Sequence, residues 1–484
     1  MSYEYLFHGA DVIDRAYIKA QGQAFEIFTP GKRQQMVTSP LHLEEINKAR
    51  PEVLSLHAVA KEPKHTMKGF EWKDIRGVEG TGFVRALRTI LTSYLPQLLP
   101  RLSEIMAGEV REQLLKNGHS EGCYQISIYN LAKKIVARTN CFVFFGQVLS
   151  ENVEFLIAAQ EFPYDTAVSA EILRLLPWPV AHFVARIYTR NYRSSRVFHD
   201  FLTREVQRRF ELQERRDQKA KFGEVKPGLG RQDSAFSSYD DLTGLENDGL
   251  QWLIDTAPKK HSWSIDRLVG EIMGTWYGSV HTLTIAVTYA LIDLYSRPEI
   301  IKPLRDELHD IGLDQLKGAP HELPLLDSFL KESARLSAFE CTGVRRKALQ
   351  PFTFSDGIHV SKDEWICVPH RSIMRDSMRF SNALQFDPFR FHKAKEMNAN
   401  TRERLSQSYL TEASDTWLAW GIGRIVCPGR FYAAAILKLV LARMLVDYDC
   451  ELQKMRGSRS YQWRSSLVPK RSVKLMVRNR EKDS

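Results

Sequence analysis

One cysteine constrains this chain more than any other feature. Cys427 lies in the run Trp420-Gly-Ile-Gly-Arg-Ile-Val-Cys427-Pro-Gly-Arg-Phe-Tyr, and an apolar helical pattern spanning 430–447 follows directly. Glycines let a backbone turn sharply and approach a flat ligand closely. A cysteine just ahead of a helix amino terminus meets backbone N–H groups and the positive end of the helix dipole. Both favour the thiolate, the form that acts as nucleophile or metal ligand. A buried structural thiol is the commoner fate of a lone cysteine, but it needs no glycine-rich loop. The other five cysteines, Cys123, Cys141, Cys341, Cys367 and Cys450, are scattered without a CxxC pair. They suggest neither a disulfide framework nor a zinc finger, and point to a reducing compartment.

Helical periodicity dominates the rest. Leucines recur at three- and four-residue spacing over 87–115, 130–146 ends on a glycine, and two prolines divide the apolar stretch 172–187. Residues 272–292 hold no Asp, Glu, Lys or Arg. That length permits a membrane span, but four threonines, a serine, His281 and flanking acids favour a helix buried in a soluble core. Alternation around Pro30-Gly31 over 23–38, and β-branched runs around Asp356-Gly357 over 352–370, predict two small hairpins. The dense charge of 204–224 and the Gly, Ser and Asp of 225–245 predict a mobile loop over 213–247. The expectation is one domain over 1–484, mainly α with a small β part.

The net charge of +10 is spread along the chain with no nucleic-acid-binding signature, so nucleic acid is not the expected partner. Acidic protein surfaces or anionic lipid suit it better. Charges at Asp11, Asp14 and Arg15 interrupt any apolar run at the amino terminus, so no signal or anchor helix is expected there.

Four segments together resemble the cytochrome P450 family, and its filamentous-fungal secondary-metabolism members in particular. Trp420, Gly423, Cys427 and Gly429 fall on the positions of its cysteine-ligand loop. Glu332 and Arg335 match its Glu-x-x-Arg helix, about ninety residues earlier. Phe386-Asp-Pro388-Phe-Arg390 matches its Pro-x-Arg-Phe segment. Gly278-Ser-Val-His281-Thr282 falls where the family places a kinked helix over the haem. Glu332 and Arg335 share a helix face, and Arg390 is expected to complete a buried charge triad.

The resemblance implies the cytochrome P450 fold, with haem b between the oxygen-side helix and the cysteine-ligand loop. Cys427 would be the iron ligand, because a thiolate donates electron density that favours O–O cleavage. Thr282 and His281 become the expected proton-handling residues. Arg346 and Arg88 are the expected propionate partners, with Trp420, Gly423 and Gly429 shaping the cofactor loop. The family's usual propionate-binding Arg or His, two residues before the cysteine, is Ile425 here. Arg424 beside it would point the other way in an extended loop.

No flavin or NADPH fingerprint is visible, so electrons would come from a separate NADPH–cytochrome P450 reductase. Arg430, Lys438 and Arg443 are docking candidates. The expected substrate is a hydrophobic small molecule such as a terpenoid, polyketide or alkaloid, with access near 173–184. The family's usual place is the cytoplasmic face of the endoplasmic reticulum; here peripheral membrane contact or a soluble form is expected. Two other classes stay open: a haem-thiolate isomerase, dehydratase or peroxide-using enzyme, and a non-catalytic haem-binding protein.

Overall fold

The computed structural model describes residues 3–30, 32–61, 83–116, 122–221, 247–257, 263–319, 321–396 and 409–480. Its longer helices are α1 (Glu4–Ala20), α2 (Thr92–Lys116), α3 (Ile128–Glu151), α4 (Val153–Leu175), α5 (Trp178–Tyr188), α6 (Arg193–Lys221), α7 (Ile265–Tyr295), α8 (Pro324–Leu336) and α9 (Arg430–Asp447). A five-stranded sheet has the order β1 (Phe25–Thr29), β2 (Lys32–Met36), β8 (Trp365–Val368), β5 (Gly343–Ala348), β3 (Leu54–Ser55). A second sheet runs β4 (Cys123–Ser127), β12 (Lys474–Asn479), β9 (Tyr448–Leu452). Two two-stranded ribbons complete the β part: β6 (Phe352–Thr353) with β7 (His359–Val360), and β10 (Ser460–Trp463) with β11 (Ser466–Pro469).

Helix α7 is the spine. Ser264 caps it, accepting from the Arg267 N–H at 3.2 Å. It packs against α3, α4, α6, α8 and α9. Every residue from Leu283 to Tyr295 except Ala286 is buried, as a helix enclosed on all sides requires. Trp276 is fully buried, donates its indole N–H to the Ala159 carbonyl at 2.8 Å, and meets Phe144 edge-on. One continuous apolar cluster spans Ala86 to Val477. The apolar stretch 272–292 is therefore a core helix. No helix among the described residues is long and apolar enough to cross a membrane.

Most expected elements are present, with three differences. Helix α3 continues past Gly146, which bends it with φ +73° instead of ending it. The turn at Asp356-Gly357 (φ +90°) joins strands of only two residues, and β8 then leaves to join the large sheet. The charged segment after 204 is helical to Lys221, so residues 213–221 of the expected mobile loop belong to α6; residues 222–246 lie outside the described ones. The charges that suggested a connector are paired at helical spacing. Glu205 accepts from Arg208 at 2.6 Å and from Arg209 at 2.8 Å. Arg209 is buried and also grips Asp248 with two bonds of 2.6 and 2.7 Å.

The expected triad forms. Glu332 and Arg335 are both 0% exposed. Arg335 donates to the two carboxylate oxygens of Glu332 at 2.7 and 2.8 Å, and Arg390 reaches the same carboxylate at 3.2 Å. The remaining Arg335 donors hold the Met374 and Ala383 carbonyls at 2.7 and 2.6 Å, and the Asp387 N–H donates to Glu332 at 3.0 Å. The network fastens α8 to residues 374–390. Removing one partner strands a charge in the core, at a cost of about 3–5 kcal/mol. Glu332→Ala should therefore give little soluble protein and a much lower urea midpoint than wild type. Removing the exposed Lys302–Asp306 pair by the same substitution should leave the midpoint unchanged. Equal midpoints for all three proteins would show that the triad does not hold the fold.

Candidate functional site

The cysteine loop is built on left-handed glycines. Gly421 has φ +78° and Gly423 φ +58°. A Cβ on Gly423 would lie 1.8 Å from the Asn47 side-chain oxygen. That oxygen accepts the Arg424 N–H at 3.1 Å, so the loop is pressed onto the helix Pro40–Lys48. The Cys427 N–H donates to the Trp420 carbonyl at 2.8 Å, closing the loop. Burial pushes the Cys427 thiol up from its ordinary value, while the Gly429 N–H and the Arg430 guanidinium pull it down. Arg430 braces the loop by donating to the Thr411 and Cys427 carbonyls at 2.8 and 3.2 Å. A Cβ on Gly429 would meet nothing within 4 Å. The Trp420 indole N–H is committed to the Leu410 carbonyl.

Cys427 lines a cavity of about 620 Å³. Gly274, Thr275, Gly278, Ser279 and Thr282 of α7 line the same cavity, so small residues at helical spacing leave that wall open. The Thr282 hydroxyl donates back to the Gly278 carbonyl at 2.7 Å, and its lone pairs remain to accept. His281 is not among the lining residues; adjacent helical positions diverge by about 100°. It has an interaction of its own. Helix α7 also runs unbroken through this point.

Arginines gather at one part of the lining. Arg346 is buried, and its one hydrogen bond among the described residues goes to the Arg345 carbonyl at 2.8 Å. Burial and then the neighbouring Arg424 push its guanidinium down to about 10. Arg88 donates to the Arg424 carbonyl at 3.3 Å and lines the cavity too. Ile425 also lines it and offers no donor. Arg424 was not expected here. The alternation rule failed because Gly423–Ile425 form a 3₁₀ turn, not an extended strand. The guanidinium of Arg424 is engaged with the Asn47 and Ala49 carbonyls at 2.8 and 3.0 Å.

Other lining residues gave no sequence signal: His57, Glu340, Arg345 and His370. Burial drives the His370 imidazole down to about 4, so it is neutral, and its Nδ1 is buried without a partner. Of the three expected docking cations, Lys438 is a correction. It is buried, ion-paired with Asp327 at 2.7 Å and bonded to the Glu322 carbonyl, because the face of α9 that carries it turns inward. Arg443 bonds Ser103 and Asp447, and Arg430 alone lies beside the loop.

The chain resembles known proteins over nearly its whole length. The family model described as Cytochrome P450 matches residues 10–477. The chain is 27% identical over 480 residues to cytochrome P450 monooxygenase 103 of Postia placenta, covering 98% of this chain and 89% of that protein. It is 27% identical to cytochrome P450 monooxygenase paxP of Penicillium paxilli (98% and 86% covered) and 26% identical to ent-kaurene oxidase of Gibberella intermedia (98% and 84%). A solved structure described as retinoic acid bound cyanobacterial CYP120A1 superposes with a TM-score of 0.68 at 16% identity, covering 99% of this chain and 96% of that one.

The loop itself yields a cofactor-independent test. Gly423→Ala adds both a left-handed strain and a clash with Asn47, so its urea midpoint should fall clearly below wild type. Adding Asn47→Gly should restore part of the loss, because the left-handed strain alone costs only about 1–2 kcal/mol. A Gly423→Ala protein as stable as wild type would show that the loop is not pressed on Asn47.

Proposed function

The chain belongs to the cytochrome P450 family, and on that premise we propose that it is a monooxygenase in which Cys427 ligates the iron of haem b and an apolar small molecule is oxidised in the adjoining cavity. One observation carries the reading: Cys427 and Thr282 line the same cavity, beside a buried guanidinium, Arg346, that has no carboxylate partner among the described residues. A buried cation without a counter-charge is costly, and haem carries two carboxylates. The residues present fit the group. When bound, thiolate-ligated haem supplies oxygen-activating chemistry.

The chain's own residues do the remaining work. Gly429 leaves the loop surface bare for a flat ring. Arg346 and Arg88 supply charge for the propionates, compensating for Ile425. Thr282 presents a hydroxyl that rotates from the Gly278 carbonyl to give or take a proton. Leu87, Leu91, Phe144, Leu283 and Ala286 line the cavity and suit an apolar body while excluding water. The substrate we propose is a fungal secondary metabolite, such as a terpenoid, polyketide or alkaloid; the fungal relatives, one of them named ent-kaurene oxidase, support that reading. Electrons would come from NADPH–cytochrome P450 reductase, docking on the surface around Arg430.

Peripheral membrane contact has its own support. Leu175, Leu176, Val180, Phe183 and Ile187 are exposed around the α4–α5 junction. Exposed Phe7 of α1 packs edge-on against Trp463, whose indole N–H donates to Glu171 of α4. This brings the α1 apolar surface toward the same side, one suited to the cytoplasmic face of the endoplasmic reticulum.

Cys427→Ala should bind no thiolate-ligated haem: the reduced, CO-treated protein should lack the long-wavelength Soret band that wild type shows. A band retained by the variant would overturn the ligand assignment. In wild type, reductase-driven NADPH consumption that rises with substrate separates a monooxygenase from an isomerase or an inert haem carrier.

Haem retention tests the arginine reading. Losing one charge-assisted hydrogen bond costs about 1.5–3 kcal/mol, so Arg346→Ala should lose haem to apomyoglobin roughly ten-fold or more faster than wild type. Ile425→His, which restores a donor, should lose it more slowly. Wild-type haem loss from Arg346→Ala would mean that other groups hold the propionates.

A further inference from the structure

Away from the arginine cluster, the same cavity carries a second charged group. Glu340 and Arg345 form an ion pair in its lining, and their side chains keep 21% and 28% of their surface uncovered. Glu340 also accepts from the Ser465 hydroxyl at 3.0 Å and from the Ser466 hydroxyl. Arg345 donates its Nε to Thr342 at 3.1 Å, and its Nη2 to Glu340, Thr342 and Ser465. Its Nη1 makes no hydrogen bond among the described residues, on a side chain that lines the cavity and is 28% uncovered. The pair is anchored on every side but this one.

Burial pushes the Glu340 carboxyl up, but Arg345 and the serine hydroxyls hold it below its usual range, so the pair stays ionised and net neutral. A hydrocarbon pressed against Nη1 would strip it of water and offer nothing in return, a penalty of the kind that lets polar sites reject analogues lacking one oxygen. A carboxylate would gain little, because Glu340 already neutralises the guanidinium.

We infer that Arg345, held by Glu340, is a specificity-determining residue that takes a neutral oxygen, a hydroxyl or carbonyl, at one end of an otherwise apolar substrate. This rests on the monooxygenase reading and deepens it. It also places the enzyme in a sequence of reactions. Its substrate arrives already bearing an oxygen function, so a step that installs oxygen on the skeleton, or assembles an oxygenated skeleton, must come first.

The test uses the haem-loaded enzyme and matched probes, 5α-pregnane-3,20-dione against 5α-pregnane and 2-naphthol against naphthalene, followed by the substrate-induced Soret shift. Wild type should bind the oxygenated member of at least one pair about ten- to a hundred-fold tighter, the range a hydrogen bond to a charged group supplies. Arg345→Met/Glu340→Met, which removes both charges together, should abolish that preference while keeping the CO-bound thiolate band. Equal affinities in wild type, no binding of any oxygenated probe, or a preference undiminished in the double variant would each overturn the assignment. Absence of the thiolate band in wild type would instead sink the haem reading, so the two failures are distinguishable.

Discussion

A carboxylate with no access to water, that of Glu332, fastens α8 to residues 374–390. A single ionised group in a protein core is prohibitive unless its lone pairs are all answered. Here two guanidiniums and a backbone N–H answer them, and those partners come from α8 and from a segment some fifty residues later. The guanidinium of Arg335 then spends its spare donors on the Met374 and Ala383 carbonyls. Asp293 repeats the device one layer up, accepting from Ser333 and Ser337 at 2.7 Å and pairing with Arg459. Helix α7 is thereby tied to α8, and the wall that carries Thr282 is fixed relative to the segments below it.

The two charged places in the cavity contrast. Arg346 is a buried cation with no carboxylate partner among the described residues, which under the proposed function suits it to an anionic cofactor edge. Arg345, its neighbour on β5, is neutralised by Glu340 and offers one directional donor. Adjacent strand residues face opposite ways, and a register shift between Gly343 and Arg346 adjusts the strand locally. One strand thus serves a charge requirement and a shape requirement at once.

The sequence showed what depends on local spacing. The glycine–cysteine loop, the i, i+3 pair of Glu332 and Arg335, and the uncharged stretch 272–292 of α7 could each be read because the partners lie close in sequence or the pattern repeats. It did not show what depends on approach from afar. Lys438 looked like a surface charge because nothing nearby in sequence reveals Asp327 packed over it. Arg424 was set aside by a rule for extended chain that a tight turn does not obey. Glu340 and Arg345, five residues apart, pair directly, but the serines that brace them lie more than a hundred residues on. The charged run after 204 was taken for a connector because its pairing with Asp248 crosses a gap of 39 residues.

The pairing of β2 with β8 has a consequence in time. Gln34, Gln35 and Met36 align in parallel with Trp365, Ile366 and Cys367, and Arg33 grips Glu364 beside them with bonds of 2.8 and 2.7 Å. On a ribosome adding about 5–20 residues per second, β2 emerges roughly 20–60 seconds before the strand that covers its edge. Through that interval an open strand edge, a template for wrong partners, waits on the nascent chain. Its own residues Lys32, Arg33, Gln34 and Gln35 carry the positive charge and polarity that discourage such pairing. The composition of a short strand near the start of the chain is thus matched to the wait as well as to the finished sheet.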